Sequence, residues 1–361
     1  MIAYICLILY ITIIAIIIFL KKPYTREKNR RFIIFAFASV FFLSAMRGEN
    51  VGWDTSEYIN IYNLTANGII LSRIEPLYIL LMKLCLKLSS NSQVLFAISS
   101  AIVYTGIGFF ILNNTPDGES TFWPVFLFIV LGEYFTTMNL LRQSIAMSVG
   151  CNVYTILEKE KNWKSILLSI LLAFISFSFH TTGALCVLLF LPFMLFVSKK
   201  KVVIAYIVGV SIFSLYPVLL SIILRLFPNY GWYLNSSFNY SVSSGYYLGL
   251  AVVEVVATIM ILCYIDPQSL HGQDIYRILI VISFSFTFIL LQYRISLAMR
   301  AGYLFELFLI LLIPLFIQHW GDIRIKLPAK IMLYLLGWAY YFYSMLGTNS
   351  RGCVPYTFFW Q

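Results

Sequence analysis

Long apolar runs alternate with short polar breaks along the chain, and this rhythm sets the first expectation. The runs occupy residues 2–20, 32–46, 93–112, 121–137, 139–157, 165–180, 182–197, 202–225, 246–264, 276–292, 301–317 and 331–346. Inside a bilayer only helices and closed barrels satisfy every backbone group. Barrel strands alternate apolar and polar residues, whereas these runs are continuous and predict helices. About 20 apolar residues cross a hydrocarbon core of roughly 30 Å. The pattern therefore predicts an all-α polytopic membrane protein with about twelve transmembrane helices.

The polar breaks orient it. Lys21 to Arg31 holds six basic residues and one acid, the signature of a cytoplasmic loop. Lys199-Lys200-Lys201, the Lys159/Lys161/Lys164 turn and the Arg324/Lys326/Lys330 turn fall on the same side. Both termini are then outside, with residues 47–92, the break around 138, 180–182, 228–245, 293–300 and the tail after Leu346. Glu75 to Ser90 is apolar but carries Lys83 and Lys87 four residues apart. Counting it as a span would turn the 159–164 loop outward, so it reads as a short amphipathic helix in the outer interface. The first run lacks a basic leader and a small-residue cleavage site, so it reads as a retained span. No repeat is evident, and residues 1–361 read as a single integral membrane domain, with loops 47–92 and 228–245 contributing to its site.

Composition narrows the class. The chain is 61% hydrophobic and 11% charged, against about 45–50% and 25% in soluble domains. That excludes a soluble globular or a disordered protein. The net charge of +10 follows the cytoplasmic loops, so no nucleic acid partner is expected. The six cysteines form no CxxC pair and read as packing residues. No HExxH, Walker A or GxGxxG motif occurs, and neither a metal nor a cofactor is expected.

The chemistry lies in charges on the wrong side for a positive-inside protein. Arg47, Arg142, Arg294 and Arg300 sit near the outer ends of predicted spans. Singly, each has an ordinary reading as a snorkelling or ion-paired side chain. Together they predict an anion site, because guanidinium groups grip phosphate oxygens through paired hydrogen bonds. His180, beside Thr181, Thr182 and Gly183, is either a satisfied turn residue or a general base. Glu254 falls near mid-membrane, as transporter carboxylates do. The uncharged aromatic loop 228–245 suits an interfacial belt or a sugar-stacking surface. Gly106, Gly108 and Gly150 are small positions where a lipid groove between helices would fit.

These residues also fall in a recognisable order. Arg47, Gly52, Asp54 and Tyr58 resemble the R-x(4)-G-x-D-x(3)-Y signature of EpsG-like proteins, a branch of the Wzy-type polysaccharide polymerases. Glu75-Pro76, Leu141-Arg142-Gln143-Ser144-Ile145-Ala146, Phe179-His180 and Val354-Pro355-Tyr356 resemble its further motifs in series. Many members have Tyr directly after the motif Asp; here it is Thr55. The resemblance implies a GT-C-like glycosyltransferase of the bacterial plasma membrane. It would join undecaprenyl-diphosphate-linked oligosaccharide repeat units on the outer face, working among membrane lipid and with a chain-length regulator protein. Under it, Arg47, Arg142, Arg294 and Arg300 would bind the diphosphate. Asp54, or second His180, would be the catalytic base, and Tyr58, Glu75, Gln143 and Tyr356 would bind or orient substrate. Two other classes stay open: a transporter or flippase of the same lipid-linked units, and an O-antigen ligase.

Overall fold

A computed structural model describes residues 1–194, 197–226, 231, 244–269, 271–296, 298–320 and 323–361. Loop 228–245 thus lies almost wholly outside the described residues. Those described are helical, with one isolated antiparallel bridge between Arg47 and Phe358. They form two compact units, Met1–Val187 with Pro328–Gln361 (unit 1) and Leu188–Leu327 (unit 2).

Unit 1 holds α1 (Ile2–Phe19), α2 (Arg26–Ala45), α3 (Thr55–Ala66), α4 (Pro76–Leu88), α5 (Gln93–Asn114), α6 (Phe122–Val130), α7 (Glu133–Asn139), α8 (Leu141–Lys159) and α9 (Trp163–Phe179). A 3₁₀ segment, Thr181–Phe190, follows. Unit 2 holds α10 (Leu191–Met194), α11 (Lys199–Ser214), α12 (Tyr216–Leu226), α13 (Ser244–Tyr264), α14 (Gly272–Gln292), α15 (Ala298–Glu306) and α16 (Leu309–His319). Most of α17 (Ile323–Tyr340) belongs to unit 1 and runs into a π-helical turn, Tyr341–Gly347.

The all-helical expectation holds; the described residues contain fewer full-length spans than the dozen or so expected. Among the described residues four helices are long and apolar enough to cross a membrane: Ile2–Phe19, Gln93–Asn114, Gly272–Gln292 and Ala298–His319. Lys199–Ser214 with Tyr216–Ile222, bent by 69°, would make a fifth. The difference has local causes. Gly132, with φ of +93°, breaks the 121–137 run into α6 and α7; only glycine takes that conformation without strain. Within the 182–197 run, the described stretch to Met194 is a 3₁₀ segment and a single α turn. Helix α8 buries Gln143, Ser144, Ser148, Asn152 and Thr155, which lowers its hydropathy below that of a lipid-facing helix.

Helix α4 is the amphipathic helix expected. Its 13 residues reach about 20 Å, too short for the core. Tyr78, Leu81, Met82 and Cys85 are buried, Lys83 and Lys87 are exposed, and Leu80, Leu84 and Leu88 line an exposed apolar stripe.

Close helix packing builds the rest of unit 1. A Cβ on Gly106 would strike the Ser148 carbonyl of α8, and Asn152 Nδ2 donates to the Gly106 carbonyl at 3.0 Å. Gly150 faces Ser176 and Cys186, and Gly108 faces Ile33 and Phe37. At these glycines neighbouring side chains and backbone stand within contact of where a Cβ would sit. Ser176 Oγ donates to the Ala146 carbonyl at 2.7 Å, fixing the end of α9 against the start of α8. Tyr4, Tyr104, Phe128, Tyr134 and Phe135 fill the core with edge-on and tilted rings; such aromatic pairs add about 0.5–1.5 kcal/mol each beyond burial.

In unit 2, Gly209 of α11 faces Thr287 of α14, and Tyr206 packs on Phe286 with centroids 4.8 Å apart. The Tyr206 hydroxyl donates to Glu254 Oε1 at 3.3 Å and lies 2.7 Å from Thr258 Oγ1. The buried Glu254 is therefore hydrogen-bonded within its unit.

Candidate active site

The loop after α2 is the frame of the site. Arg47 is 1% exposed. Its guanidinium donates to the Ser44 carbonyl (2.6 Å), the Met138 carbonyl (3.1 Å) and Thr55 Oγ1 (3.3 Å), and stacks on Phe96 at 4.3 Å. Gly52, with φ of +92°, turns the chain, and its N–H donates to the Gly352 carbonyl at 2.9 Å. Asn139 completes the joint. Its Oδ1 accepts the Trp53 N–H at 2.6 Å, and its Nδ2 donates to the Arg351 carbonyl at 2.8 Å. One buried amide thus ties the loop to the C-terminal tail. Tyr356 is part of the same joint: its hydroxyl donates to the Leu43 carbonyl at 2.9 Å and its ring meets Tyr4 edge-on.

This frame starts α3. Asp54 is its N-cap residue, but the carboxylate makes no capping hydrogen bond. It lies half-buried near Tyr58, one turn on. Tyr58 is buried, and its hydroxyl is hydrogen-bonded by the side chain and main-chain N–H of Arg142. Burial pushes the Tyr58 phenol up from its ordinary value; the Arg142 charge opposes this and Asp54 adds to it. Tyr58 is therefore a neutral phenol at physiological pH.

Glu75 joins the other parts. It precedes Pro76, the first residue of α4, where the fixed proline φ suits a helix start. Its Oε2 pairs with Arg142 Nη1, and its Oε1 accepts the Thr181 N–H at 3.3 Å and lies 3.9 Å from His180 Nε2. Both partners of the Glu75–Arg142 pair are less than one-fifth exposed. Arg142 Nη1 also donates to the Arg73 carbonyl at 3.2 Å, and Arg73 in turn pairs with Glu57 at 2.5 Å on the surface. Arg142 Nε is buried with no partner among the described residues. A desolvated donor left unmatched costs about 1–3 kcal/mol, so this Nε is a strained point of the cluster.

His180 stands at the break between α9 and the 3₁₀ segment. The Thr182 N–H donates to its Nδ1 at 3.2 Å, and the Thr182 hydroxyl lies 2.8 Å from the same atom. Nδ1 is thus an acceptor, and the proton of the neutral imidazole sits on Nε2, facing Glu75. Gly183 allows this turn, since any side chain there would strike the Ser176 main chain.

The fold thus brings together Asp54, Tyr58, Glu75, Arg142 and His180 from four separate stretches of unit 1. Gln143 is buried one residue beyond Arg142. Arg47 and Tyr356 lie behind the cluster as buried or half-buried ties. In unit 2, Arg294 stacks on Phe213 and Tyr293 at 5.2 and 5.4 Å. It lines a cavity of about 290 Å³ with Phe213, Leu248, Ile289, Leu290 and Tyr293. Arg300 lies in α15 of the same unit. Among the described residues no three His, Cys, Asp or Glu side chains converge as metal ligands.

Sequence reasoning passed over Asn139. The available signal was a lone amide at the break between two apolar runs, immediately before Leu140-Leu141-Arg142.

No curated protein and no solved structure matches the chain. A family comparison does: residues 30–358, nearly the whole chain, match the EpsG family. The match contains every motif described above, and the chain belongs to the EpsG family.

Proposed function

We propose that this protein is a glycosyltransferase that polymerises lipid-diphosphate-linked oligosaccharide repeat units at the outer face of the bacterial plasma membrane. Membership of the EpsG family supports a membrane protein of polysaccharide biosynthesis. The finer reading rests on one observation: Arg142, held by Glu75 and Tyr58, keeps a buried, unmatched Nε beside a carboxylate and an imidazole. On this reading the number of crossings exceeds the full-length apolar helices, with broken and polar helices completing the bundle.

The chemistry follows from charge. When the anomeric C–O bond breaks, negative charge grows on the departing diphosphate. Arg142 stabilises it, because a preorganised donor in a dry site needs no reorganisation as charge develops. Glu75 holds the guanidinium in place before substrate arrives. Asp54 takes the proton of the acceptor hydroxyl as the new C–O bond forms at the anomeric carbon. His180 keeps its Nε2 proton, offers that N–H as a hydrogen-bond donor beside Glu75, and orients substrate. In unit 2, Arg294, which lines an apolar cavity, and Arg300 are separate phosphate-ligand candidates. Tyr58 and Gln143 orient substrate through Arg142, while Arg47 and Tyr356 act as positioning residues.

The test is deletion of the gene in its host, with complementation by wild type or Arg142→Ala and size-resolved analysis of surface polysaccharide. Collapse to single repeat units, restored only by wild type, supports the polymerase. Loss of all exported glycan would instead indicate a flippase, and full-length polymer left on its lipid carrier a ligase.

A further inference from the structure

At the far end of unit 1 from Arg142, two cations meet on one neutral atom. Helix α8 carries Arg142 in its first turn and Lys159 as its last residue, about 25 Å apart at 1.5 Å per residue. There Arg26 Nη2 donates to Asn113 Oδ1 at 2.6 Å, and Lys159 Nζ donates to the same oxygen. The amide is locked in this orientation, since Asn113 Nδ2 donates to the Phe109 carbonyl at 2.7 Å. Among the described residues neither Arg26 nor Lys159 has an ion pair; nearby Glu27 is taken by Arg31 at 2.9 Å, and Glu160 accepts from Asn162.

An amide dipole does not neutralise two like charges held on one oxygen. Arg26 is also the first residue of α2, where the helix dipole disfavours a cation and favours an anion. Both side chains are exposed and water screens part of their repulsion; an anion between them would relieve the rest. The surroundings say which kind. Lys159 lies over the Phe109 ring, 5.5 Å from its centroid, and Phe109 is 46% exposed on α5, one of the four full-length apolar helices. A charged corner opening onto an exposed aromatic on a membrane-crossing helix fits a phosphate that carries acyl chains better than a free one.

We propose that Arg26, Asn113 and Lys159 form a binding site for the phosphate of an anionic phospholipid headgroup, with an acyl chain lying along Phe109. The site is independent of the polymerase reading.

The test uses the full chain in nanodiscs and detergent. Phosphatidylglycerol, phosphatidylcholine and inorganic phosphate are the probes, and retained lipid is counted by native mass spectrometry. The informative variant is Asn113→Asp, which supplies the missing negative charge from within. Wild type is expected to retain phosphatidylglycerol over phosphatidylcholine. Asn113→Asp is expected to weaken that retention at least tenfold while melting no lower in phosphatidylcholine. Arg26→Gln is expected to weaken retention without the compensating stability. Unchanged phosphatidylglycerol retention in both variants would overturn the site. Equal stabilisation by inorganic phosphate, with no preference among lipids, would overturn its assignment to lipid.

Discussion

Arg47 and Arg142 look alike in the sequence and differ in the fold. Each lies near the outer end of a predicted span, each stands in a family motif, and each was expected to grip a diphosphate. Arg47 ends on main-chain carbonyls, a hydroxyl and an aromatic face, with 1% of its surface exposed. Arg142 ends on a carboxylate and a phenol at a partly open edge and keeps one donor unmatched. A guanidinium whose donors are spent on the backbone holds loops together. One held by a carboxylate can exchange that partner for another anion. The partner set, rather than the residue type, separates the two roles.

The comparison breaks most sharply at Arg47. Arg47→Ala strands the Ser44 and Met138 carbonyls in a dry interior and leaves a cavity under Phe96. Unsatisfied buried groups cost about 1–3 kcal/mol each, so a loss on the order of 4 kcal/mol is expected. It should appear as a fall in membrane abundance and in the melting temperature of the solubilised protein. Arg142→Ala should do the opposite, leaving abundance near wild type while polymer length collapses. If Arg142→Ala also lost its fold, the distinction between the two arginines would fail.

Glu75→Gln sharpens it next. The amide keeps the shape and removes the charge that holds Arg142 and faces His180. Polymerisation in membranes is expected to fall by about tenfold or more, as for loss of an electrostatic contact of roughly 1.4 kcal/mol or above in a reaction step. Asn139→Ala should cost about 1–3 kcal/mol by cutting the tie between the Trp53 loop and the C-terminal tail. It is expected to lower the melting temperature with little effect on turnover per folded molecule.

The smallest effect is at Tyr58. Its phenol is raised in the folded chain, so the folded state holds this proton more tightly than the unfolded one. Stability from this group is full below the ordinary phenol value of about 10 and declines as pH rises through it. Tyr58→Phe should blunt part of the alkaline unfolding seen in a melting-temperature series, with polymerisation near neutral pH reduced only a few-fold.

Much of the molecule was legible in the sequence because bilayer burial is read from composition. Continuous apolar runs predicted helices, as the described residues show, the Lys83/Lys87 spacing exposed α4 as amphipathic, and the ordered motifs carried the family. Span count was less legible. Gly132 breaks one run, and buried polar residues in α8 mark a helix that packs against protein, two facts that hydropathy averages conceal.

What the sequence determined by itself was the helical membrane class and the motif set, since both depend on residue types in local order. Only the tertiary structure decided which arginine ends on main-chain carbonyls and which on a carboxylate. That choice depends on carbonyls and carboxylates far away in the chain: Met138 for Arg47, and Glu75, 67 positions distant, for Arg142. Coulomb and hydrogen-bond energies depend on distance and burial in space, and no local pattern of residues encodes either.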